Sequence, residues 1–155
     1  MKMSSEIELL ELDSVPIASV AADITMDQMA QFFDSAYGRV VEAVTSQGRT
    51  LTGPALALYR RPPSDTVELE AGFPTDQPID PVGDVLASSL PAGRAVRLSH
   101  HGGYDGLADA WGRLITWVLE NGYAPTGTSW EVYVTEPTPT MDPAELLTEL
   151  YCQVL

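Results

Sequence analysis

From Thr25 onward, apolar residues recur at helical spacing. Met29, Phe32, Phe33, Ala36, Tyr37, Val40, Val41 and Val44 lie on one i, i+3, i+4, i+7 stripe, which predicts an amphipathic helix facing a core. Thr25 and Gln28 have the spacing of a capping box, in which two side chains satisfy the free amides of the helix start. The stripe stops at Gln47-Gly48, where glycine can take the left-handed conformation that ends a helix. A second stripe, Leu107, Ala110, Trp111, Leu114, Ile115 and Val118, stops in the same way at Asn121-Gly122. Subtracting 74 from these numbers lands on Phe33, Ala36, Tyr37, Val40, Val41, Val44 and Gly48. The same offset pairs Gly38-Arg39 with Gly112-Arg113, Thr52-Gly53 with Thr126-Gly127, and Leu58-Tyr59 with Val132-Tyr133. So many matches at one offset indicate an internal repeat.

Period-two runs supply the strands. The first half reads as a strand at Ile17 to Ala22, the helix, and strands at Ala55 to Arg60 and Val67 to Phe73. The second half reads as Ala95 to His100, its helix, Trp130 to Thr135 and Leu147 to Val154. Pro62 to Asp65 and Glu136 to Pro143 are turn-rich connections. Thr75 to Asp84 is a linker too short to separate independent domains. The expected architecture is α+β: pseudo-repeats at about 6–75 and 85–155 within a single domain of 1–155. A lone βαββ unit leaves open strand edges, so two copies are expected to join into one antiparallel sheet with both helices on one face. The seam between the halves then forms a central cleft, where ligand sites tend to lie.

Composition narrows the chemistry. The 155 residues are 45% hydrophobic, enough for one soluble core, and carry 22 acidic against 8 basic side chains, a formal net charge of -14. Nucleic acid is a poor partner for such a surface, whereas cations are drawn to any cleft it lines. Excess acid also simply keeps a protein soluble. The chain has no signal-peptide pattern at its start and no apolar run of membrane-spanning length, so a cytoplasmic location with no membrane partner is expected. Cys152, the single cysteine, reads as a small buried side chain. His100 and His101 are adjacent and so point apart in a strand, which makes a poor metal site. No metal and no cofactor is implied, and GxSxG, P-loop, GxGxxG and HExxH patterns are all missing from the sequence.

In Ser129 to Val134, alternation puts Trp130, Val132 and Val134 on one face and Glu131 with Tyr133 on the other. For a lone strand Glu131 would face water. The repeat argues otherwise, because the equivalent face of the first half is Ala55, Ala57 and Tyr59, which is not how a water-facing surface is written. Small alanines opposite a glutamate and two tyrosines would leave a volume edged by ring faces and one carboxylate, a composition suited to a delocalised organic cation. A glutamate desolvated there would have a raised pKa, and it could equally act as a general acid. Tyr37 and Trp111, equivalent on the two helix stripes, either pack against the sheet or line the pocket. Periodicity leaves open which face Tyr151 takes, and Trp117 lies off the stripe, over a helix flank.

Leu90-Pro-Ala-Gly93, His100-His-Gly-Gly-Tyr104-Asp-Gly-Leu107, Glu120-Asn-Gly122, Trp130-Glu-Val-Tyr133 and Thr148-Glu-Leu-Tyr151 together resemble the GyrI-like small-molecule-binding domain. That domain is also the effector-binding part of AraC-type and MerR-type multidrug-sensing regulators. The resemblance spans almost the whole chain and implies a tandem βαββ fold with a cleft for lipophilic cations. Glu131 matches the family's strand-borne glutamate, and Tyr151 a cleft-lining tyrosine of the last strand. Some stand-alone members are similar to hydrolases that add water to strained cyclopropane rings, so Glu131 would be catalytic in that case. The usual glycine-proline ahead of the helix tyrosine is Gly102-Gly103 here. No helix-turn-helix segment can be fitted, so the resemblance is to the stand-alone form. Multidrug binding, ring hydrolysis, and inhibition of a DNA-modifying enzyme through the acidic surface are the three functional expectations.

Overall fold

The computed structural model describes residues 7–62, 64–135 and 140–155. Strand β1 (Ile7–Leu12) leads through Asp13 and Ser14 into β2 (Val15–Ile24). After one 3-10 turn (Met26–Gln28) comes helix α1 (Met29–Ser46), followed by β3 (Leu56–Tyr59) and β4 (Val67–Pro74). The second half has β5 (Val85–Leu90), β6 (Gly93–His101), a 3-10 turn (Tyr104–Gly106), α2 (Leu107–Glu120), β7 (Pro125–Tyr133) and β8 (Leu147–Val154). The Thr25 amide donates to the Gln28 side chain at 3.1 Å, as the capping pattern requires. Gly48 and Gly122, at φ of 70° and 80°, end the two helices in the left-handed conformation expected of them.

All eight strands join one antiparallel sheet in the order β1-β6-β8-β7-β3-β4-β2-β5. The seam is the β3–β7 pair, in which Ala57 stands directly opposite Glu131. Both helices lie on one face of the sheet. Ala36, Val40 and Val44 of α1 pack on Ala18, Val20 and Ala71, and Ala110, Leu114 and Val118 of α2 pack on Val96, Leu98, Leu150 and Cys152. Full burial stabilises by roughly 1.5–3 kcal/mol for each large aliphatic side chain, so the two stripes fix the helices firmly.

Two strands were not expected. β1 lies ahead of the first strand that the alternation predicts, and β5 directly follows the linker, before the first predicted strand of the second half. They form one structure. Leu12 pairs with Gly93 and Val15 with Leu90, so the β1–β6 and β2–β5 ladders keep a single register across a shared kink. The two segments therefore make one long bent ribbon tying the outer strand of each half to the other. Its kink residues Leu12, Ile17, Leu90 and Ala95 pack with Leu56, Leu58, Trp130 and Val132, covering the sheet face that the helices leave bare. The open edges expected of each half are filled in this way.

Strand ends also moved. β7 begins at Pro125 and ends at Tyr133, instead of running from Trp130 to Thr135, and its register slips between Pro125 and Ser129. The Thr75–Asp84 linker is not a bare tether, because Ile79 is buried in the α1 core and Thr75 bridges Leu51. In the two turn-rich connections, Pro63 and residues 136–139 lie outside the described residues. Among the described residues no helix is long and apolar enough to cross a membrane.

Candidate functional site

Glu131 projects from β7 toward the helices, since its ladder partner Leu150 belongs to the α2 core. It is 6% exposed, the one charged side chain in the buried set among the described residues. A carboxylate in that position must be compensated. The Tyr59 hydroxyl, across the seam on β3, donates to Glu131 Oε1 at 2.7 Å, and the Trp111 indole N–H donates from α2. Burial raises the carboxyl pKa, while these two donors favour the ionised form and hold the rise back.

Behind this pair stands a tyrosine chain. The Tyr133 hydroxyl stands beside that of Tyr59. Tyr37 reaches down from α1, donating to the Leu56 carbonyl at 2.9 Å, with its ring stacked on Phe33 at 5.6 Å and edge-on to Phe73 at 5.6 Å. Burial pushes the hydroxyls of Tyr59, Tyr133 and Tyr37 well above the ordinary phenol range, and the charge on Glu131 adds to each. These phenols stay protonated donors at every physiological pH.

On the other side of Glu131 and Tyr59 opens a cavity of about 460 Å³. It is lined by Trp111, Ile115 and Ala108 of α2, by Met26 of the 3-10 turn and Met29 of α1, and by Pro62, Val67, Gly127 and Ser129. Glu131 is the only acidic side chain among these lining residues. The cavity is thus an apolar chamber with a single carboxylate at its floor.

Of the sequence candidates, the structure brings Glu131, Tyr59 and Trp111 together at the cavity wall. Tyr133 and Tyr37 stand near Glu131 without lining the cavity. Ala57 is fully buried beneath them and also lines nothing. Tyr151 is elsewhere. Because Leu150 and Cys152 turn toward α2, alternation sends Tyr151 to the opposite face, where it stacks on Trp130 with centroids 5.1 Å apart. Tyr151, which the resemblance would put in the cleft, thus lies on the sheet face away from this cavity. Trp117 stacks on Tyr123 at 6.1 Å, along the α2 flank.

Several lining residues escaped the sequence reading. Met26 and Met29 looked like a helix start, and Cys152 like core alone, although it also borders the cavity. Tyr104, half exposed, sets its ring edge-on to Tyr133 at 5.9 Å. His100 Nε2 is 2.9 Å from the Gly103 carbonyl, and Gly106 leaves room for its ring, so this histidine shapes the turn before α2. Among the described residues no group of three or more metal-ligating side chains comes together.

The fold has close counterparts. The crystal structure of the EcmrR C-terminal domain superposes with a TM-score of 0.82 at 24% identity, covering 96% of this chain and 96% of that one. In the cryo-EM structure of an EcmrR–DNA complex, the chain spans 56% of the regulator's length. SAV2435 bound to tetraphenylphosphonium has a TM-score of 0.70 at 13% identity, with 97% and 94% covered. A hydrolase from Listeria innocua gives 0.65 at 14%, with 97% and 92% covered. At these identities the likeness is one of fold. No curated protein sequence matches the chain. The family model of the GyrI-like small molecule binding domain matches residues 5–155, and the chain belongs to that family.

Proposed function

We propose that the cleft binds bulky hydrophobic cations carrying aromatic groups, with Glu131 as their counter-charge. The observation that carries this reading is a single, almost fully buried carboxylate at the floor of an apolar cavity. Apolar walls cannot solvate a charge, so an empty cavity leaves Glu131 costly to ionise, and a ligand cation removes that cost. The Trp111 and Tyr59 rings add about 0.5–2 kcal/mol each when a cation meets their faces. The excess of 22 acidic over 8 basic residues raises the local concentration of such ligands. A structural counterpart holding tetraphenylphosphonium supports the same ligand class.

Titration with a fluorescent lipophilic cation tests the reading. The dye is expected to bind at micromolar strength, and Glu131→Gln to weaken it by about 1.5–3 kcal/mol, the contribution of a charged hydrogen-bonded partner. Unchanged affinity in that variant would remove Glu131 as the anchor.

One observation favours a second reading. A carboxyl with raised pKa, hydrogen-bonded to a phenol in a water-poor chamber, is also equipped as a general acid for opening a strained cyclopropane ring with addition of water. Mass spectrometry of such an electrophile after incubation would show the gain of one water. No gain over buffer across several substrates argues for binding alone.

A further inference from the structure

Register across the sheet sets the cavity floor out in rows. In one row Tyr59 of β3, Ser129 of β7 and Cys152 of β8 stand side by side, and in the next stand Ala57, Glu131 and Leu150. Tyr59, Ser129, Glu131 and Cys152 all line the cavity. Ser129 and Glu131 share one face of β7, and two residues at roughly 3.3 Å each set them about 6.6 Å apart along the strand. The polar groups of this floor differ in what they have left to offer. The Tyr59 hydroxyl gives its one proton to Glu131 Oε1 at 2.7 Å. The Cys152 thiol is a weak donor, directed at the Gln153 carbonyl 3.8 Å away. Among the described residues the half-buried Ser129 hydroxyl has no partner, so it borders the cavity with its proton and both lone pairs free. Thr128 also lines the cavity, but from the irregular stretch of β7 that ends where regular pairing resumes at Ser129.

We propose that Ser129 is a specificity-determining residue of the cleft: it favours aromatic cations that carry a hydrogen-bonding group about 6–7 Å from the cationic centre over cations that are apolar throughout. The proposal rests on the reading of Glu131 as counter-charge, which fixes one end of the ligand. With the cation at Glu131, an arm of the ligand that runs along β7 passes between Tyr59 and Cys152 and ends at Ser129. A ring amine arriving there pairs with the hydroxyl. A methyl group in the same place strips the hydroxyl of water and gives nothing in return, and a polar group shut away without a partner is penalised. Discrimination then comes from that penalty as much as from the bond itself. An alanine would shape the same wall without distinguishing the two ligands.

Three permanent cations of one shape test this: tetraphenylphosphonium, its derivative with a methyl group at the para position of one phenyl ring, and its derivative with an amino group there. Methyl and amino groups are nearly equal in size, and the para position lies at about the required distance from phosphorus. Dissociation constants are measured for the full chain and for Ser129→Ala and Glu131→Gln. The parent is expected to bind the amino probe about three- to tenfold more tightly than the methyl probe, the contribution of one neutral hydrogen bond. In Ser129→Ala the amino probe should lose that advantage and fall level with the methyl probe. Should Ser129→Ala not fold, Ser129→Cys keeps the shape of the side chain with only a weak donor and should lose the preference in the same way. Equal affinity of the amino and methyl probes in the parent would overturn the proposal. So would a preference that survives the loss of the Ser129 hydroxyl, which would assign the contact to another group such as Thr128. Glu131→Gln should weaken all three probes alike. Parent-like affinity in that variant would instead overturn the counter-charge reading, and failure of the parent to bind any of the three would overturn that reading and this proposal together.

Discussion

The Tyr59 hydroxyl and the Glu131 carboxylate, 2.7 Å apart, come from the two strands that meet at the seam between the halves of the sheet. Trp111 adds its donor from the second helix, so the compensation of Glu131 is divided between both halves. A repeat that had stayed symmetric could not have built this arrangement. Ala57 stands where the first half would need its own glutamate, and the charge is confined to one side.

Keeping a carboxylate buried makes the unliganded fold pH-sensitive. The carboxyl pKa of Glu131 is raised above its ordinary 4.5 in the folded chain, chiefly by burial. Between those two values the unfolded chain has already lost the proton that the folded chain keeps. The folded state binds more protons there, so stability falls as pH rises through this window. Glu131→Gln removes the dependence. Thermal melts without ligand should show the variant gaining on the parent between pH 4 and pH 8, and an equal difference at both ends would refute the assignment.

Trp111→Phe keeps an aromatic wall but takes away an N–H donor. Glu131 then has Tyr59 as its remaining side-chain donor, its ionised form is less favoured, and its pKa rises further. Affinity for a lipophilic cation near neutral pH should drop by about 1.5–3 kcal/mol at most, the range for a hydrogen bond to a charged group. Isothermal titration calorimetry at pH 6 and pH 9 checks the direction, because the deficit should shrink at the higher pH.

How much of this the sequence revealed depended on periodicity. The two helix stripes, their glycine stops and the opposed faces of Glu131 and Trp130 follow from local pattern, and the structure has all of them. β1 and β5 were not legible, because Ile7 to Leu12 is a nearly continuous apolar-acidic run and Val85 to Leu90 contains two serines and an alanine. Their strand character comes from pairing with distant partners across the kink. At the site, Glu131 could be found from the asymmetry between the repeats, whereas Met26 and Met29 could not. Their place in the cavity lining depends on how α1 is set over the seam, which no local signal carries.

Tyr151 offers a clean control. It stacks on Trp130 on the face away from the helices, and its hydroxyl donates to Glu149 Oε1 at 3.5 Å. Tyr151→Phe keeps the stack and should leave cation affinity within a factor of two, with any loss appearing as a small change in stability. A loss of binding comparable to that of Glu131→Gln would place Tyr151 in the ligand path after all.

Two glycines should respond to the same substitution with opposite sign. Gly72 of β4 pairs with Ser19 of β2, and a Cβ there would run into the Ala18 carbonyl and lie 2.9 Å from Ser19 Cα. Those atoms are backbone in the middle of the sheet and cannot turn aside. Gly72→Ala should therefore destabilise by about 1–3 kcal/mol or more, as overpacking of a rigid core does. Gly112 is in the middle of α2 with nothing within 4 Å of an added Cβ. There the methyl costs no contact, and alanine restricts the unfolded chain and favours the helix, for a gain of about 0.5–1 kcal/mol. Chemical denaturation of both variants measures the pair. A neutral Gly72→Ala would mean that β2 and β4 can part without penalty, and a destabilised Gly112→Ala would mean that something packs on that side of α2.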